Sequence, residues 1–325
     1  MNVGIVGCGL IGGKRARALG DARLVICADA VATRAEALAR TVPGAVATDD
    51  WRAVVARAEV EIVIVATTHN WLSAVTRTAV AAGKHVLVEK PAACRAAELE
   101  PVIDLAREKN VRVRVGFNHR YHPAFRRARA LCDAGALGEL MFIRGRYGHG
   151  GRLGYEQEWR ADPKLSGGGE LMDQGVHLID LARWFLGDLP HVTGFAHTFY
   201  WQMPVEDNGF MLLRTAKDQT AFLQVSCTEW KNLFSFEIYG RAAKLDISGL
   251  GASYGVERLA YYRMLPQMGP PETTIWEYPM ADDSWQIEFA EFLDDIRLAR
   301  EPAANLRDAH AALRVVEQIY EATSE

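Results

Sequence analysis

Apolar and polar positions follow two different rhythms along this chain, and the change falls near residue 118. Before it, residues 3–6, 24–28, 61–66, 85–88 and 111–117 form short, unbroken apolar runs rich in β-branched side chains. Such runs predict strands buried on both faces, as in a parallel sheet. Residues 13–19, 33–40, 51–58 and 72–82 lie between them and carry helical spacing, the last stopped by Gly83. The β–α alternation predicts a doubly wound α/β domain. Beyond 118 a helix over 125–133, closing near Gly135, gives way to strand-like runs at 141–147, 193–201, 209–214, 221–227, 234–239 and 245–247. Turn signals separate them. An amphipathic helix over 285–299, with Ile287, Phe289, Phe292, Leu293 and Ile296 as its stripe, precedes a closing helix over 306–322. A sheet made from these runs leaves one face to be covered, which favours an oligomer.

Composition sharpens the picture at a few points. A chain of 325 residues exceeds what one core usually fills, so two domains are expected, 1–118 and 119–325. Apolar residues at 49% and charged residues at 24% describe a globular rather than a disordered chain. A net charge of −4 gives no reason to expect nucleic acid or an anionic membrane as the main partner. Cys8, Cys27, Cys94, Cys132 and Cys227 are scattered, odd in number and without a Cys-x-x-Cys pair. That usage points to reduced thiols, a cytoplasmic location and no zinc site. The strand at 3–6 leaves no room for a signal peptide, and no apolar run reaches the ~18 residues of a membrane helix.

Candidate chemistry begins at Gly7-Cys8-Gly9-Leu10-Ile11-Gly12, between the first strand and the first helix. In the dinucleotide fingerprint the first glycine makes the turn, the second admits the pyrophosphate and the third lets helix pack on strand. Asp29 ends the second strand, 22 residues after Gly7, where an acid accepts from the adenosine ribose. Its charge favours NAD over NADP; nearby Arg34, which reads equally as a first-turn helix residue, leaves dual use open. Thr67-Thr68-His69-Asn70 and Glu89-Lys90-Pro91 lie at later strand ends, the ligand-binding edge of an open α/β sheet. There Lys90 is placed to stabilise an alkoxide, or is simply a lysine at a strand exit.

In the second half, Gly167-Gly168-Gly169 runs into a helix carrying Asp173, His177 and Asp180 at spacings that share one face. A carboxylate beside an imidazole orients a general base; a surface helix with a local Asp–His pair has the same spacing. The glycines are expected to form a floor open to a ligand. Between 144 and 160 stand Arg144, Arg146, Tyr147, His149, Arg152, Tyr155, Trp159 and Arg160. This mixture suits a polyhydroxylated ligand bearing an anion, such as a nucleotide-linked sugar, although Arg144 and Arg146 also read as solvated strand residues.

Taken in order, Gly7 to Gly12, Ala81-Gly83-Lys84-His85-Val86, Glu89-Lys90-Pro91, Gly116-Phe117-Asn118-His119-Arg120-Tyr121, Trp159-Arg160, 167–180, Trp184 and Gly187 resemble the glucose-fructose oxidoreductase/inositol dehydrogenase (Gfo/Idh/MocA) superfamily. The resemblance implies an N-terminal Rossmann domain and a C-terminal α+β domain on a large, mostly antiparallel sheet. Its outer face would join a homodimer or homotetramer. It further implies an NAD(P)-dependent dehydrogenase or reductase of a sugar ring carbinol, with the substrate nucleotide-linked or, alternatively, a free cyclitol or monosaccharide. By motif, Lys90 and His177 flank the reacting carbinol, Asp173 holds the histidine and Asp180 meets a substrate hydroxyl. Arg120, Tyr147, His149, Arg152 and Tyr155 complete the expected substrate side. Glu89, Thr67, Thr68, His69, Trp71, Asn118, Trp159, Arg160 and Trp285 are expected near the cofactor. One departure is Ser73, at a position where many relatives carry histidine.

Overall fold

The computed structural model describes residues 1–324. Two compact units emerge: Met1–Phe117 with Lys164–Gly167 and Trp285–Leu313, and Asn118–Pro163 with Gly168–Ser284 and the chain from Arg314 onward. Both units carry described helices, none of them long and apolar enough to cross a membrane.

The first unit is built on a parallel sheet of β1 (Asn2–Val6), β2 (Arg23–Ala28), β3 (Val46–Thr48), β4 (Ile62–Val65), β5 (His85–Val88) and β6 (Val113–Val115). Their order, β3-β2-β1-β4-β5-β6, reverses direction at β1/β4. The crevice at the strand C-termini beside that reversal is where such sheets take ligands. Helices α1 (Leu10–Arg17), α2 (Ala32–Ala39), α3 (Trp51–Ala56), α4 (His69–Ala81) and α5 (Glu100–Glu108) provide the connections.

Val3, Ile5, Leu24, Ile62, Ile64 and Leu87 bury one face of this sheet against Phe289, Phe292 and Leu293. Those three belong to the amphipathic stripe expected over 285–299. The compact first unit therefore holds a segment that a simple division at 118/119 leaves with the second. Charge reinforces the arrangement. Fully buried Arg15 meets Glu89 and Glu288, and fully buried Arg114 meets Asp295 and Glu291. Each guanidinium needs carboxylate partners to be tolerated away from water.

The second unit holds β7 (Leu140–Gly148), β8 (His191–His197), β9 (Asn208–Arg214), β10 (Thr220–Ser226), β11 (Leu233–Gly240), β12 (Ala243–Ser248), β13 (Glu257–Arg263) and β14 (Glu272–Tyr278) in the order β14-β13-β12-β11-β7-β10-β9-β8. Every pairing is antiparallel except β7 with β10. Period-two alternation sends Ile143, Tyr147, Phe234, Phe236, Leu223, Val225, Leu245 and Ile247 to the buried face and leaves Arg144 and Arg146 on the other. Strand β8 stops at His197 because the Asp207 carboxylate accepts the N–H groups of Phe199, Tyr200 and Trp201 at 2.8–3.0 Å. Those groups are lost to the ladder, so the expected run to 201 is cut short.

Candidate functional site

In the first unit the glycine turn meets the steric demands of its fingerprint. Gly7 has φ +95°, and a Cβ there would lie 2.3 Å from the Ala66 carbonyl oxygen. A Cβ on Gly12 would lie 1.9 Å from the Gly7 oxygen, so only glycine lets α1 sit this close to β1. Gly9 faces open space. These are the turn, helix-packing and phosphate-approach positions of a dinucleotide loop. Exposed Leu10, Cys8 and Ile11 complete it; Cys8 N donates to Asp29 Oδ2 at 2.8 Å, and Val31 N to Oδ1 at 2.9 Å. The acid is thereby fixed at the end of β2, while Arg34 is an exposed residue in the first turn of α2. The residues present fit NAD.

The other strand-end positions lie in the same unit. Thr68 precedes α4 and its hydroxyl donates to Asn70 Oδ1 at 2.7 Å; Thr67 bonds the Thr68 oxygen; Trp71 is exposed. Buried His69 joins the Ser166 oxygen through Nδ1 at 2.8 Å, and Ser73 donates to the Glu98 oxygen at 3.2 Å. Glu89 accepts from Arg15 Nε at 2.7 Å, and half-buried Lys90 follows it, joined to Pro91 by a cis peptide. Trp285 lies under Arg15 at 4.3 Å and Lys14 at 5.3 Å.

In the second unit the Asp–His segment is not one uniform α-helix. Leu171–Gly175 is a π turn that continues into α8 (Val176–Leu186). Such wide turns occur often at functional sites. His177 is 4% exposed, its ring stacked on His119 at 3.9 Å and edge-on to Tyr147 at 6.2 Å. Phe234 packs on both His119 and Tyr147. Asp173 accepts from Arg160 Nε at 2.9 Å, and its charge raises the Arg160 pKa. The guanidinium also stacks on Trp159 at 4.6 Å. Next to them, Tyr155 donates to Glu170 Oε1 at 2.7 Å. His149 accepts from Gly151 N at Nδ1, which leaves Nε2 to face Glu170 at 3.4 Å. Burial opposes the charged form of His149, but Glu170 outweighs it and raises the pKa. Burial first, then Tyr254 and the nearby carboxylates, drive the Tyr147 pKa well above the usual phenol range, so Tyr147 acts as a neutral hydrogen-bonding group.

Several expected contacts read differently. The glycine floor is filled by protein: a Cβ on Gly168 would lie 2.1 Å from the Tyr320 hydroxyl, and one on Gly169 2.0 Å from the Glu206 oxygen. Glu206 accepts from Gly169 N, Leu171 N and Tyr320, which fixes the start of the π turn. Asp180 and Arg120, both expected on substrate, instead form a buried two-pronged pair, Nε–Oδ2 2.8 Å and Nη2–Oδ1 2.5 Å. Arg152 is exposed and pairs with Glu158 at 2.6 Å. Arg144 and Arg146, on the sheet face opposite Tyr147, pair with Glu237 and Glu229. Asn118 bonds Ser284 and His119.

His119, Glu170 and Tyr254 are members of this cluster to which the motifs assign no role. His119 and Glu170 lie within the quoted stretches 116–121 and 167–180, next to Asn118 and the three glycines. Tyr254 sits in an irregular loop with no periodicity. Among the described residues, no group of three or more His, Cys, Asp or Glu could hold a metal ion.

A dinucleotide-binding Rossmann unit and a unit on a large, mostly antiparallel sheet with a buried histidine cluster define a class of two-part oxidoreductases. Residues 1–117 match the family model described as oxidoreductase family, NAD-binding Rossmann fold, and residues 125–246 match the GFO/IDH/MocA C-terminal domain. The chain belongs to the Gfo/Idh/MocA oxidoreductase family. It is 28% identical over 240 residues to levoglucosan dehydrogenase of Pseudarthrobacter phenanthrenivorans, covering 67% of this chain and 59% of that protein. It is 32% identical over 197 residues to dTDP-3,4-didehydro-2,6-dideoxy-alpha-D-glucose 3-reductase of Streptomyces violaceoruber, covering 60% and 57%. The matches thus span less than two thirds of these curated relatives. A solved structure of levoglucosan dehydrogenase in complex with NADH shares the fold, with TM-score 0.90, 22% identity and coverage of 100% and 97%.

Proposed function

We propose that the protein is an NAD-dependent dehydrogenase or reductase acting on a ring carbinol of an uncharged sugar or cyclitol. The observation that carries this reading is the buried His177 cluster, with Asp173 and Arg160 beside Tyr155 and His149, in a chain whose other unit is shaped for NAD. Gly7 to Gly12 and Asp29 would hold NAD, which when bound would supply the hydride acceptor. In the oxidative direction His177 takes the hydroxyl proton, and Asp173 stabilises the imidazolium formed. Arg160 balances the Asp173 charge and limits how far that carboxylate moves. Lys90 stabilises the alkoxide as it develops. The half-exposed Phe195, Leu212 and Phe222 on the sheet support assembly of copies through that face.

An uncharged ligand is favoured over a nucleotide-linked one because the arginines behind the anionic expectation all have carboxylate partners. Arg144, Arg146, Arg152 and Arg160 face Glu237, Glu229, Glu158 and Asp173, so a diphosphate would have to displace them. The dTDP-sugar reductase relative keeps the nucleotide-linked reading in view. The two separate in an NAD-reduction assay offering levoglucosan, myo-inositol and glucose beside dTDP- and UDP-glucose. We expect turnover with a neutral polyol; turnover confined to the nucleotide sugars would overturn the uncharged assignment.

A further inference from the structure

The candidate site continues into a row of aromatic rings that the hydride-transfer reading does not use. It begins at Tyr155, whose hydroxyl lies on Glu170, three residues before Asp173. Tyr155 packs on Trp201 at 5.6 Å, Trp201 meets Tyr200 edge-on at 5.2 Å, and Tyr200 meets Trp230 edge-on at 4.7 Å. Tyr155 is only 3% exposed, whereas Tyr200 is 57% exposed and Trp230 66%. The row thus leads from the buried carboxylates to solvent within one unit.

The exposed end is firmly built. Asp207 is fully buried and takes the N–H groups of Phe199, Tyr200 and Trp201. Burial opposes the Asp207 charge, but these bonds outweigh it and lower the pKa. Trp201 Nε1 donates to the Cys227 oxygen at 2.9 Å. Trp230 has φ +56°, a left-handed conformation that is costly for a bulky residue and more often kept for function. Gly150 and Gly151 let the rings come close: a Cβ on Gly151 would lie 2.3 Å from Trp201 Cζ2, and one on Gly150 3.0 Å from the Trp230 backbone. Exposed rings fixed at such cost favour stacking with little entropy lost on binding.

We propose that this row is a subsite for a second, uncharged saccharide ring, so that the substrate is a glycoside of at least two rings. This rests on the sugar-carbinol reading above. The C–H face of a pyranose is weakly positive and meets the negative face of an aromatic ring, while its hydroxyls stay in water. Arg146, which meets Glu229 next to Trp230, and Arg152 and Arg160, which meet Glu158 and Asp173, all have carboxylate partners, which disfavours an anion there. Lys231 follows Trp230 in sequence, so a sugar diphosphate is the proper control.

The test measures kcat/KM with NAD for cellobiose, maltose and methyl β-glucoside, in the parent and in Trp230→Ala and Trp230→Phe. Binding is read in parallel by tryptophan fluorescence. Trp230 is exposed, so its replacement should leave a folded protein. We expect a disaccharide to be preferred over the methyl glycoside, the preference to fall at least about fivefold in Trp230→Ala, and Trp230→Phe to restore part of it. Disaccharide binding that depends on Trp230 without oxidation of any sugar would support the subsite while defeating the hydride-transfer reading. Three results would overturn the proposal. One is no disaccharide preference in the parent. Another is a changed assembly size in Trp230→Ala with unchanged sugar selectivity, which would make the rings a subunit contact. The third is dTDP-glucose binding more tightly than either disaccharide and losing that affinity in Lys231→Ala.

Discussion

Two glycine-rich turns lead into helices in this molecule, and they use glycine for different ends. In 7–12 the first and third glycines are forced by the protein's own backbone, while Gly9 looks onto open space. In 167–169 all three positions are filled by protein: Cys94 within the first unit, Tyr320 and Glu206 within the second. The first turn is shaped around something that approaches it; the second is shaped around its own support. A run of glycines therefore signals close approach, and only the neighbours reveal whether a ligand or a side chain comes near. The residues proposed to act lie further along, where the π turn carries Asp173 toward Arg160 and α8 seats His177 on His119.

The contrast can be broken by single methyl groups. Gly168→Ala drives a Cβ into the Tyr320 hydroxyl and should cost about 3 kcal/mol of stability in urea unfolding. Adding Tyr320→Phe should recover part of that loss, and additive losses would contradict the proposed clash. The Glu206 carboxyl behind that turn has its pKa pushed up to about 7 by burial, against the hydrogen bonds it accepts. A carboxyl raised in this way contributes stability that is fully present below its ordinary value of 4.5 and is lost as pH rises through about 7. We expect about 2 kcal/mol to disappear between pH 5 and pH 8, and Glu206→Gln to flatten that slope. An unchanged slope in the variant would assign the loss to another group. At the other turn, Gly9→Ala should leave the unfolding midpoint nearly unchanged yet weaken NAD at least about tenfold, because its methyl group points where the pyrophosphate comes. Equal losses of stability and affinity would make the two turns alike.

The sequence was most legible where local sterics and long-range packing demand the same residue. Gly7, Gly12 and Asp29 are fixed by a turn, a helix contact and a strand end, so spacing alone revealed them. Five strands of the parallel sheet are equally plain, since burial on both faces leaves unbroken apolar runs; the short edge strand β3 is exposed or half-buried and carries no such run. Strands β13 and β14 lie beyond the expected runs: β14 is mostly exposed at a sheet edge, and β13 buries Leu259 and Ala260 side by side without strict alternation. Asp180 and Arg120 carried the chemistry of substrate contacts, yet they lie 60 residues apart and neutralise each other, which no motif spacing reveals. His119 and Tyr254 come to the histidine cluster from a short helical turn and an irregular loop. Their placement depends on how the antiparallel sheet folds over them, and that is a non-local property.

The central claim is that His177 moves the proton and Lys90 steadies the alkoxide in an NAD-linked reaction. Its most direct test is the rate of NADH formation at saturating NAD and neutral polyol, with NAD affinity measured on the same samples, in the parent, His177→Ala and Lys90→Ala. We predict near-parent NAD affinity for His177→Ala and turnover lowered about 100- to 10,000-fold in each variant. Turnover at the parent rate in both variants, with NAD bound normally, would contradict the account.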